Sequence, residues 1–556
     1  MLTYRAPGIY FEQRDASPPV MGQVRTDVAG FVGIASRGPL HWPVRIESMT
    51  QFRHVFGGEI AQGYLAYAVR EYFADGGTAC WIVRSADPDP EKASKATLDI
   101  VDAAGVRVLQ ISAGSEGTWG NDIVARWVLR GDKIVSLTLH YPDGTEELFR
   151  NPQSPPPEGV SQLELDTEKL PADLIAPLAD TSTDANRKTA EKSVSILEGV
   201  GRLSGGKDGL STLEARHLTG EDAPPNTRWG LAALELVDEV AMVAIPDLMP
   251  KLPVAAKIKA PPKPDCDLLD PPPQPEPRPT EPPEFPPALD VAVLQEALVR
   301  HCEKLRYRVA ILDSYDNSVG RTIPEEVIKT AKPFRNTNFA ALYYPWILVD
   351  DPLRLTGLVR AIPPSGAVAG VYARTDHLYG VHKPPANEVV QGALDVRFPI
   401  DDIIHGELNE RGVNAIRSYP GRGIRIYGAR TTSSESEWRY VNVRRLLCMI
   451  EKSIERNSQW IVWEPNSAAL RREIDRSVRS FLEDLFRRGM LDGADSSEAY
   501  RVQCDDATTP PEEVDLGRVI CRIEVQPPYP AEVVVVVIGV TQHATEILSE
   551  GGAIGA

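Results

Sequence analysis

The sequence feature that most constrains the fold is an apolar and aromatic stretch at residues 339–349. It has the length of a strand and no polar face, which predicts a strand covered on both sides. Asp350-Asp351-Pro352 ends it, and Ser365 then caps a predicted short helix that reaches about Asp376. A buried strand, a turn, a helix and a polar loop in this order predict one unit of a layered α/β domain.

The same alternation extends over most of the chain and predicts a multi-domain α/β protein. Its parts are a layered α/β core, an inserted β-rich outer domain, an α+β C-terminal domain and extended terminal strand arms. In the insertion, Tyr141-Pro142-Asp143-Gly144 is a predicted hairpin turn. The predicted divisions are an N-terminal arm at 1–25, the core at 26–87 and 204–405, the outer domain at 88–203, the C-terminal domain at 406–530 and a C-terminal arm at 531–556.

Composition narrows the functional classes. The 556 residues carry a net charge of −18, which argues against a general nucleic-acid-binding protein. Thirteen of the 27 residues from 261 to 287 are proline, so a surface loop with polyproline character is predicted at 250–288. The six cysteines are scattered without a Cys-x-x-Cys pair, and this spacing predicts reduced thiols rather than a zinc site or disulfide framework.

The N-terminal residues lack a positive segment followed by an apolar core, so no signal peptide is expected. The longest apolar run, residues 533–540, is far shorter than a membrane span and is a predicted strand. These features predict a protein made in the cytoplasm, without direct insertion into a membrane.

Gly201–Asp208 is a near match to the phosphate-binding loop G-x-x-x-x-G-K-[ST]. Asp208 replaces the metal-binding hydroxyl, and its carboxylate would repel phosphates. Residues 193–200 are predicted as helix, whereas the motif follows a strand. The loop is therefore predicted to be a glycine turn, and a phosphate-bond hydrolase is the alternative that replacing Lys207 and measuring ATP turnover would test.

A serine hydrolase is the other enzymatic alternative. Ser365 stands in Pro-Pro-Ser-Gly rather than in a G-x-S-x-G elbow. The candidate bases are His377, His382 and His405, and the candidate acids are Asp313 and Asp376. Nothing in the spacing makes them converge, and no carboxylate or thiolate accompanies His377 and His382 as a metal ligand. The prediction is a protein with no catalytic residues, no metal and no cofactor.

The chain ends carry a stronger signal. Residues 533–538 are uncharged, almost all valine, and would promote aggregation if left unpaired. They and the extended N-terminus are predicted arms that add strands to other subunits, with pairing inside their own subunit as the open alternative. The residues assigned to these arms are Tyr4, Ile9, Tyr10, Phe11, Val533, Val535 and Val537.

Charge is unevenly distributed. Residues 411–488 contain sixteen Lys and Arg against nine Asp and Glu, within an acidic chain. Six arginines are assigned to the polar face of the last long helix: Arg471, Arg472, Arg476, Arg479, Arg487 and Arg488. They predict either a docking face for an acidic partner or a solvated helix face with internal i,i+4 ion pairs.

Several segments in one order resemble the tail sheath proteins of contractile phages and related contractile injection systems. They are Tyr4-Arg5-Ala6-Pro7-Gly8-Ile9-Tyr10-Phe11-Glu12, Val28-Ala29-Gly30-Phe31-Val32-Gly33, Leu203-Ser204-Gly205-Gly206-Lys207-Asp208-Gly209, Gly380-Val381-His382-Lys383-Pro384-Pro385-Ala386-Asn387, Gly428-Ala429-Arg430-Thr431 and Glu464-Pro465-Asn466. The resemblance covers most of the chain and omits much of 88–203 and 250–288. The long proline segment and the residues after Thr541 depart from the family pattern.

The resemblance implies a mechanical, non-enzymatic subunit. It implies assembly with copies of itself as stacked hexameric rings around an inner tube, with a baseplate and a terminal cap protein as further partners. It also implies that the terminal arms link neighbouring subunits and that the C-terminal domain, with its basic helix, faces the tube. A surface-layer protein is a further alternative, because terminal arms could also link its subunits into a lattice. We expect such a protein to carry an export signal.

Overall fold

The computed structural model describes residues 21–101, 107–130, 133–141, 144–150, 175–176, 196–221, 223–224, 227–249, 286–315, 327–328, 332–354 and 358–532. These residues divide into two compact units. The large unit is Thr26–Leu378 with Pro385–Val441, and the small unit combines residues 21–25, Tyr379–Pro384 and residues 442–532.

The strands of the large unit, in chain order, are β1 (Ala29–Gly33), β2 (Pro43–Ile46), β3 (Cys80–Arg84), β4 (Ala93–Ser94), β5 (Thr97–Val101), β6 (Arg107–Ser112), β7 (Val124–Arg130), β8 (Lys133–His140), β9 (Glu146–Arg150), β10 (Ile175–Ala176), β11 (Ile196–Arg202), β12 (Lys207–Asp208), β13 (Met242–Ala244), β14 (Val309–Asp313), β15 (Ala340–Tyr344), β16 (Ile347–Asp350), β17 (Val359–Ile362), β18 (Glu388–Val389), β19 (Asp395–Val396), β20 (Val413–Tyr419) and β21 (Gly423–Ile426). The small unit adds β22 (Tyr500–Gln503) and β23 (Arg522–Val525).

The α-helices are α1 (Met49–Phe56), α2 (Leu65–Ala74), α3 (Ala215–Thr219), α4 (Gly230–Ala233), α5 (Val291–Leu305), α6 (Ser365–Leu378), α7 (Asp402–Glu410), α8 (Val441–Asn457), α9 (Ala468–Arg487), α10 (Ser496–Ala499) and α11 (Pro511–Asp515). Short 3-10 turns lie at Thr118–Asp122, Leu234–Leu236, Pro246–Leu248, Lys332–Phe334 and Gln459–Ile461.

A nine-stranded sheet organises the large unit, in the order β18-β21-β20-β15-β14-β13-β1-β3-β2. The strands from β20 to β3 run parallel, while β2, β21 and β18 join antiparallel at the two sides. Parallel pairing requires crossover connections, and the helices that supply them place apolar side chains against the sheet. The predicted α/β core is therefore present.

The sequence pattern misjudged the stretch 339–349 of this core. It was predicted as one strand, but it forms two, β15 and β16, with Pro345 and Trp346 between them. β15 is fully buried inside the large sheet, whereas β16 pairs with β17 and β19 in a separate three-stranded sheet. The single-strand prediction is wrong because uniform apolarity reports burial and carries no mark of a change of sheet.

Helices α2 and α6 cross very closely against this core. Gly366 and Gly370 lie one turn apart on α6 and face the backbone of α2. A Cβ at Gly366 would overlap the carbonyl oxygen of Ala68, and one at Gly370 would lie 2.6 Å from the carbonyl oxygen of Tyr72. The two glycines thus permit a backbone separation that a larger residue would prevent.

Between β3 and β12 the chain forms small antiparallel sheets with an apolar core of their own. One contains β5, β6 and β10, and the other contains β7, β8, β9 and β11. Ile100, Ile111, Leu129 and Leu137 are fully or almost fully buried between them. The predicted hairpin is present, since β8 pairs with β9 and the amide of Tyr141 donates to the carbonyl of Thr145 at 2.9 Å.

In the small unit, α8 and α9 bury their apolar faces together with the β22–β23 hairpin. The core includes Leu446, Ile450, Val478 and Leu482. Helix α9 begins after Ser467, whose hydroxyl accepts a hydrogen bond from the amide of Leu470 and so caps the helix. The heptad-like spacing of leucine, isoleucine and valine fixes which face of α9 is buried and leaves most of its arginines on the other.

Candidate assembly surfaces

The serine proposed as a nucleophile is inaccessible. Ser365 is fully buried at the first turn of α6, and its amide donates to the Asp313 carboxylate at 2.9 Å. Burial raises the pKa of Asp313 to about 7. The carboxylate at the end of β14 therefore caps the helix, and it is not an acid orienting a catalytic base. Ser365 was predicted as the cap, and the structure makes Asp313 the capping group.

The remaining candidates for that site serve other parts of the fold. The Asp376 carboxylate accepts a hydrogen bond from the hydroxyl of Thr26 at 2.6 Å. His405 Nε2 is 3.0 Å from the carbonyl oxygen of Tyr427, and His377 is exposed. His382 lies in the small unit, where burial lowers its pKa. The structure does not bring these groups together around a nucleophile.

The glycine loop at 201–208 is tied to its surroundings through its own polar groups. Lys207 Nζ donates to the carbonyl of Glu91 at 3.0 Å, and the Asp208 carboxylate accepts from the amide and the hydroxyl of Thr118 at 2.8 and 2.7 Å. Lys207 and Asp208 form β12, and the next helix begins only at Ala215. The predicted glycine turn is consistent with this geometry.

One reason given for that prediction was wrong. The helix predicted at 193–200 is contradicted from residue 196 onward, because Ile196–Arg202 form the strand β11, which pairs antiparallel with β7. Helix propensity misled here because Leu197 and Glu198 are good helix formers, whereas pairing with β7 decided the conformation. The loop still lacks the helix that a phosphate-binding loop needs directly after its lysine.

The crevice in which open α/β sheets bind ligands is filled by a side chain. In such sheets the crevice lies beyond the carboxyl ends of two neighbouring strands whose onward connections run in opposite directions. In this sheet those two strands are β1 and β13. The fully buried Asp247 carboxylate accepts hydrogen bonds there from the amides of Ile34, at 2.7 Å, and Tyr64. Burial raises its pKa to about 6.

Arg360 covers the region around Asp247 and Tyr64. It is buried, and its guanidinium lies over the rings of Tyr64 and Tyr67 at 4.7 and 4.6 Å. Its Nη atoms donate to the carbonyls of Ile60 and Ala61 at 3.0 and 3.1 Å. A cation held by aromatic faces and backbone carbonyls stabilises a loop and leaves no charge for a ligand.

Helix α8 holds both ends of the described chain. Near its C-terminus, Asn457 bonds through its side-chain amide to both the amide and the carbonyl of Gly22, at 3.2 and 2.8 Å, and the Ser453 hydroxyl accepts from the amide of Val24. Near its N-terminus, Asn442 donates to the carbonyl of Pro528 at 3.1 Å. The residues assigned to the arms, Tyr4, Ile9, Tyr10, Phe11, Val533, Val535 and Val537, lie outside the described residues, so their pairing remains a prediction.

The arginines assigned to the docking face of α9 fall into two groups. Arg471 is buried, 8% exposed, and bonds to Asp506 and to Asn466, each at 2.7 Å, so it serves the fold and is not on the open face. Three others form i,i+4 ion pairs on the helix: Arg479 with Asp475, Arg487 with Glu483 and Arg488 with Asp484. Much of the charge is therefore compensated locally, as the solvated-face alternative expects.

Arg472 and Arg476 differ from the other four. Both are exposed on α9, and no ion pair joins either to another residue that the structure describes. They lie one turn apart, so their charges add on one surface. Within the described chain, the basic patch without ion-pair partners therefore consists of Arg472 and Arg476, whereas the sequence predicted a patch of six arginines.

The loop leading into α9 presents an uncovered aromatic side chain. Trp463 is 99% exposed and has a backbone φ of 75°, in the left-handed region that non-glycine residues rarely adopt. Val462 beside it is also exposed. Sequence reasoning missed this residue because an apolar tryptophan beside a helix is usually part of a core.

The β22–β23 hairpin is a two-stranded sheet in the described chain. A hairpin of two strands leaves outward-facing amides and carbonyls along both edges, which are ready acceptors for another strand. One outward carbonyl, that of Val502, is already bonded by the Arg479 guanidinium. The rest of the edge is a surface of the kind that strand addition uses.

Two further results limit the chemistry of the described residues. No three His, Cys, Asp or Glu side chains within them gather where they could hold a metal ion. Among the helices described, none is both long and apolar enough to cross a membrane.

Asp247 and Ser365 are thus buried and committed to the fold, whereas Trp463 is uncovered. Comparison with known proteins gives the family. Residues 291–432 match the central domain of phage tail sheath proteins, and residues 433–541 match the phage tail sheath C-terminal domain. The chain therefore carries the central and C-terminal domains of the tail sheath protein family.

Relatives and solved structures agree with this assignment. A prophage major tail sheath protein of Pseudomonas aeruginosa is 27% identical over 195 residues, covering 34% of this chain and 48% of the relative. The tail sheath protein of Burkholderia phage BcepMu is 27% identical over 271 residues, covering 46% of this chain and 54% of the relative. The matches thus span about half the length of these relatives.

The fold is similar to that of a solved sheath subunit over nearly its whole length. The PVC sheath complex of an extracellular contractile injection system, solved in the contracted state, superposes with a TM-score of 0.56 at 19% identity. The match covers 98% of this chain and 99% of that one. At this identity the comparison establishes the fold.

Proposed function

We propose that the protein is a structural sheath subunit of a contractile phage tail or contractile injection system. The observation that carries this proposal is the ordered match of the central and C-terminal sheath domains across residues 291–541. The filled crevice at Asp247 and the burial of Ser365 support a mechanical role, because both groups that would serve an enzyme are committed to the fold.

In this function the subunit polymerises with copies of itself as stacked hexameric rings around an inner tube. The arms at 1–25 and 531–556 add strands to neighbouring subunits. The position of α8 supports this, since one helix fixes residues 22–24 near one end and Pro528 at the other. A pull on either arm would be passed to the same rigid helix. The β22–β23 edge is the proposed acceptor for an arm from another copy.

The tube-facing surface is proposed to be the exposed side of α9. Arg472 and Arg476 supply its charge, and Trp463 supplies an apolar anchor in the adjoining loop. The tube must separate from the sheath during contraction. A few exposed charges and one aromatic contact give attraction that is weak and sensitive to salt, which suits that separation.

Contraction is a rearrangement of rigid subunits between two packings of the same assembly. The close α2–α6 crossing and the filled crevice keep the large unit rigid while interfaces change. No nucleotide is needed at firing if the extended state stores the energy during assembly. A baseplate and a terminal cap are the proposed partners at the two ends of the sheath, and assembly is proposed to take place in the bacterial cytoplasm.

Electron microscopy of the purified protein, with and without the tube protein of the same particle, tests the proposal. Ribbed tubes or rings with six-fold symmetry are the expected result. A monodisperse protein that forms no polymer at high concentration with its tube protein present would contradict it.

A further inference from the structure

Two cysteines of the small unit lie opposite each other at the end of the hairpin ladder. Strands β22 and β23 pair Tyr500 with Val525 and Gln503 with Arg522. Continuing the antiparallel register by one residue places Cys504 directly opposite Cys521. Both belong to the apolar core of this unit: Cys504 is 4% exposed and Cys521 is half-buried against it.

The hydrogen-bonding pattern of the two strands also shows whether Cys504 and Cys521 form a hydrogen-bonded or a non-hydrogen-bonded pair. The amide of Gln526 donates to the carbonyl of Ala499 at 2.8 Å, so these two form a hydrogen-bonded pair. Pairs alternate along an antiparallel ladder, which makes Val502–Ile523 and Cys504–Cys521 non-hydrogen-bonded pairs. In a non-hydrogen-bonded pair the backbone carbonyls point away from the partner strand. The carbonyl of Val502 does so, since it accepts a hydrogen bond from the Arg479 guanidinium.

Non-hydrogen-bonded pairs bring side chains closest together, with Cα atoms about 4.5 Å apart in a regular ladder. Disulfides form where Cα atoms are about 4.4–6.8 Å apart. The two thiols are close enough to influence each other's titration. Their interaction lowers the pKa of Cys504 and raises that of Cys521.

The other described cysteines have no such arrangement. Cys80, Cys302 and Cys448 are buried, and burial raises the pKa of Cys80 and of Cys448. Cys448 Sγ accepts a hydrogen bond from the Nε atom of Arg444 at 3.3 Å. The remaining cysteine, Cys266, lies outside the described residues.

We propose that Cys504 and Cys521 are a redox-responsive thiol pair that closes into a cross-strand disulfide in the folded protein. The oxidant is a small disulfide such as oxidised glutathione. One protein thiolate attacks a sulfur of the reagent, forming a mixed disulfide and releasing one glutathione thiolate. The second protein thiolate displaces the other glutathione. One reagent disulfide is reduced to two thiols, and the two protein thiols are oxidised to one disulfide.

The bond would close a loop that contains α11 and fasten it to the hairpin. Closing a loop of this size restricts the unfolded chain and so stabilises the folded unit. A particle made in a reducing cytoplasm and released into an oxidising medium would gain this bond after release. The disulfide itself is inferred from the register and the contacts of the hairpin alone, and only the time at which it forms rests on the proposed function.

The test uses the full-length protein in native buffer, treated with oxidised or with reduced glutathione. Free thiols are then blocked and intact mass is measured. We expect the oxidised sample to carry two fewer blocking groups than the reduced sample, to give one peptide pair linking Cys504 to Cys521, and to unfold at a higher urea concentration than the reduced sample.

Cys448→Ser is the matched control, and it should still form the bond. Cys504→Ser and Cys521→Ser should each lose both the bond and the shift in urea midpoint. Because the wild-type measurement needs no variant, a misfolded serine variant does not decide the outcome. A glutathione adduct that stays on one cysteine, two unmodified thiols, or a linked pair found only in urea would each overturn the proposal.

Discussion

Asn442 and Asn457 lie near opposite ends of helix α8, and each fixes a different end of the described chain. With a rise of about 1.5 Å per residue, the two side chains are separated by about 22 Å along the helix axis. The two anchoring points of the proposed arms are therefore joined by one continuous stretch of helical backbone.

Replacing both asparagines with alanine should loosen the roots of the arms. Each lost hydrogen bond costs about 1 kcal/mol, so the unit should remain folded while long polymers become rare. Polymer length measured by electron microscopy, with thermal unfolding of the unpolymerised protein, checks this. Gln459→Ala is the matched control, because that amide bonds only to the carbonyl of Glu455. Equal effects of the control and the double variant would contradict the role of α8.

Deleting residues 531–556 should leave soluble subunits that do not polymerise. The reason is the loss of the valine-rich segment 533–540, which is predicted from the sequence to be a strand and which we propose pairs with a neighbouring copy. A shorter deletion of 541–556 keeps that strand and should still polymerise. Sedimentation and electron microscopy distinguish the two. Long sheaths from the larger deletion would show that this arm is not a linker.

Reversing the charge of the exposed arginines, as Arg472→Glu with Arg476→Glu, should weaken loading on the inner tube several-fold. The physical reason is that no acidic partner on the described surface compensates these two charges. Co-sedimentation with the tube protein at several salt concentrations measures the effect. The difference from wild type should shrink as salt rises, because screening weakens exposed charges.

The matched control reverses two exposed arginines of the large unit, Arg53 and Arg300, which changes the net charge equally. It should load normally. Trp463→Ser belongs in the same assay and should lower loading without changing thermal stability, since the side chain has no covering in the fold. Normal loading by both the Arg472/Arg476 variant and Trp463→Ser would remove α9 and its loop from the tube-facing surface.

Gly366→Ala should destabilise the large unit by about 1–3 kcal/mol, because a methyl group there meets the backbone of α2. Gly406→Ala offers a close comparison. It also lies within a helix, α7, but a Cβ there meets nothing within 4 Å, so it should stabilise by about 0.5–1 kcal/mol. Urea unfolding of both variants measures the difference, and equal effects would mean that the α2–α6 crossing is not tight.

Asp313 predicts a dependence of stability on pH. Its pKa is raised to about 7 by burial, from an ordinary value of about 3.9. The fold therefore favours the protonated acid. The contribution of this group is complete below about pH 4 and is lost as pH rises through 7, by up to about 4 kcal/mol.

Asp313→Asn keeps an oxygen to accept the Ser365 amide and cannot ionise. The unfolding free energy of the variant, minus that of the wild type, should therefore increase between pH 4 and pH 8. Urea titrations at several pH values give this difference directly. A difference that does not change with pH would show that Asp313 ionises in the fold as it does in water.

The parallel sheet was predictable because buried strands and amphipathic helices alternate in the sequence. The sequence pattern gave wrong predictions where pairing with a distant strand determines the backbone conformation. Residues 196–202 form a strand because β7 pairs with them, and residues 339–349 change sheets at Pro345.

The assembly surfaces were partly predictable for the same reason. The arginine-rich helix was visible, but the burial of Arg471 and the local ion pairs of Arg479, Arg487 and Arg488 depend on neighbours that spacing alone does not identify. The Cys504–Cys521 pairing needed the register of a hairpin whose strands are separated by eighteen residues. Trp463 carried no signal, since exposure is a property of the fold.

The β-rich segment between β3 and β12 leaves the large sheet and returns to it through its own paired ends. Ala93 and Ser94 pair with Asp208 and Lys207, and Thr97 and Ser204 exchange hydrogen bonds at 2.8 and 3.0 Å. The two ends of this segment are therefore held at a fixed separation where the chain leaves and rejoins the large sheet. Sequence between these anchors can be lengthened, shortened or exchanged for a foreign domain without altering the spacing of the strands beneath. Different inserted domains could therefore occupy this position while the nine-stranded sheet stays the same.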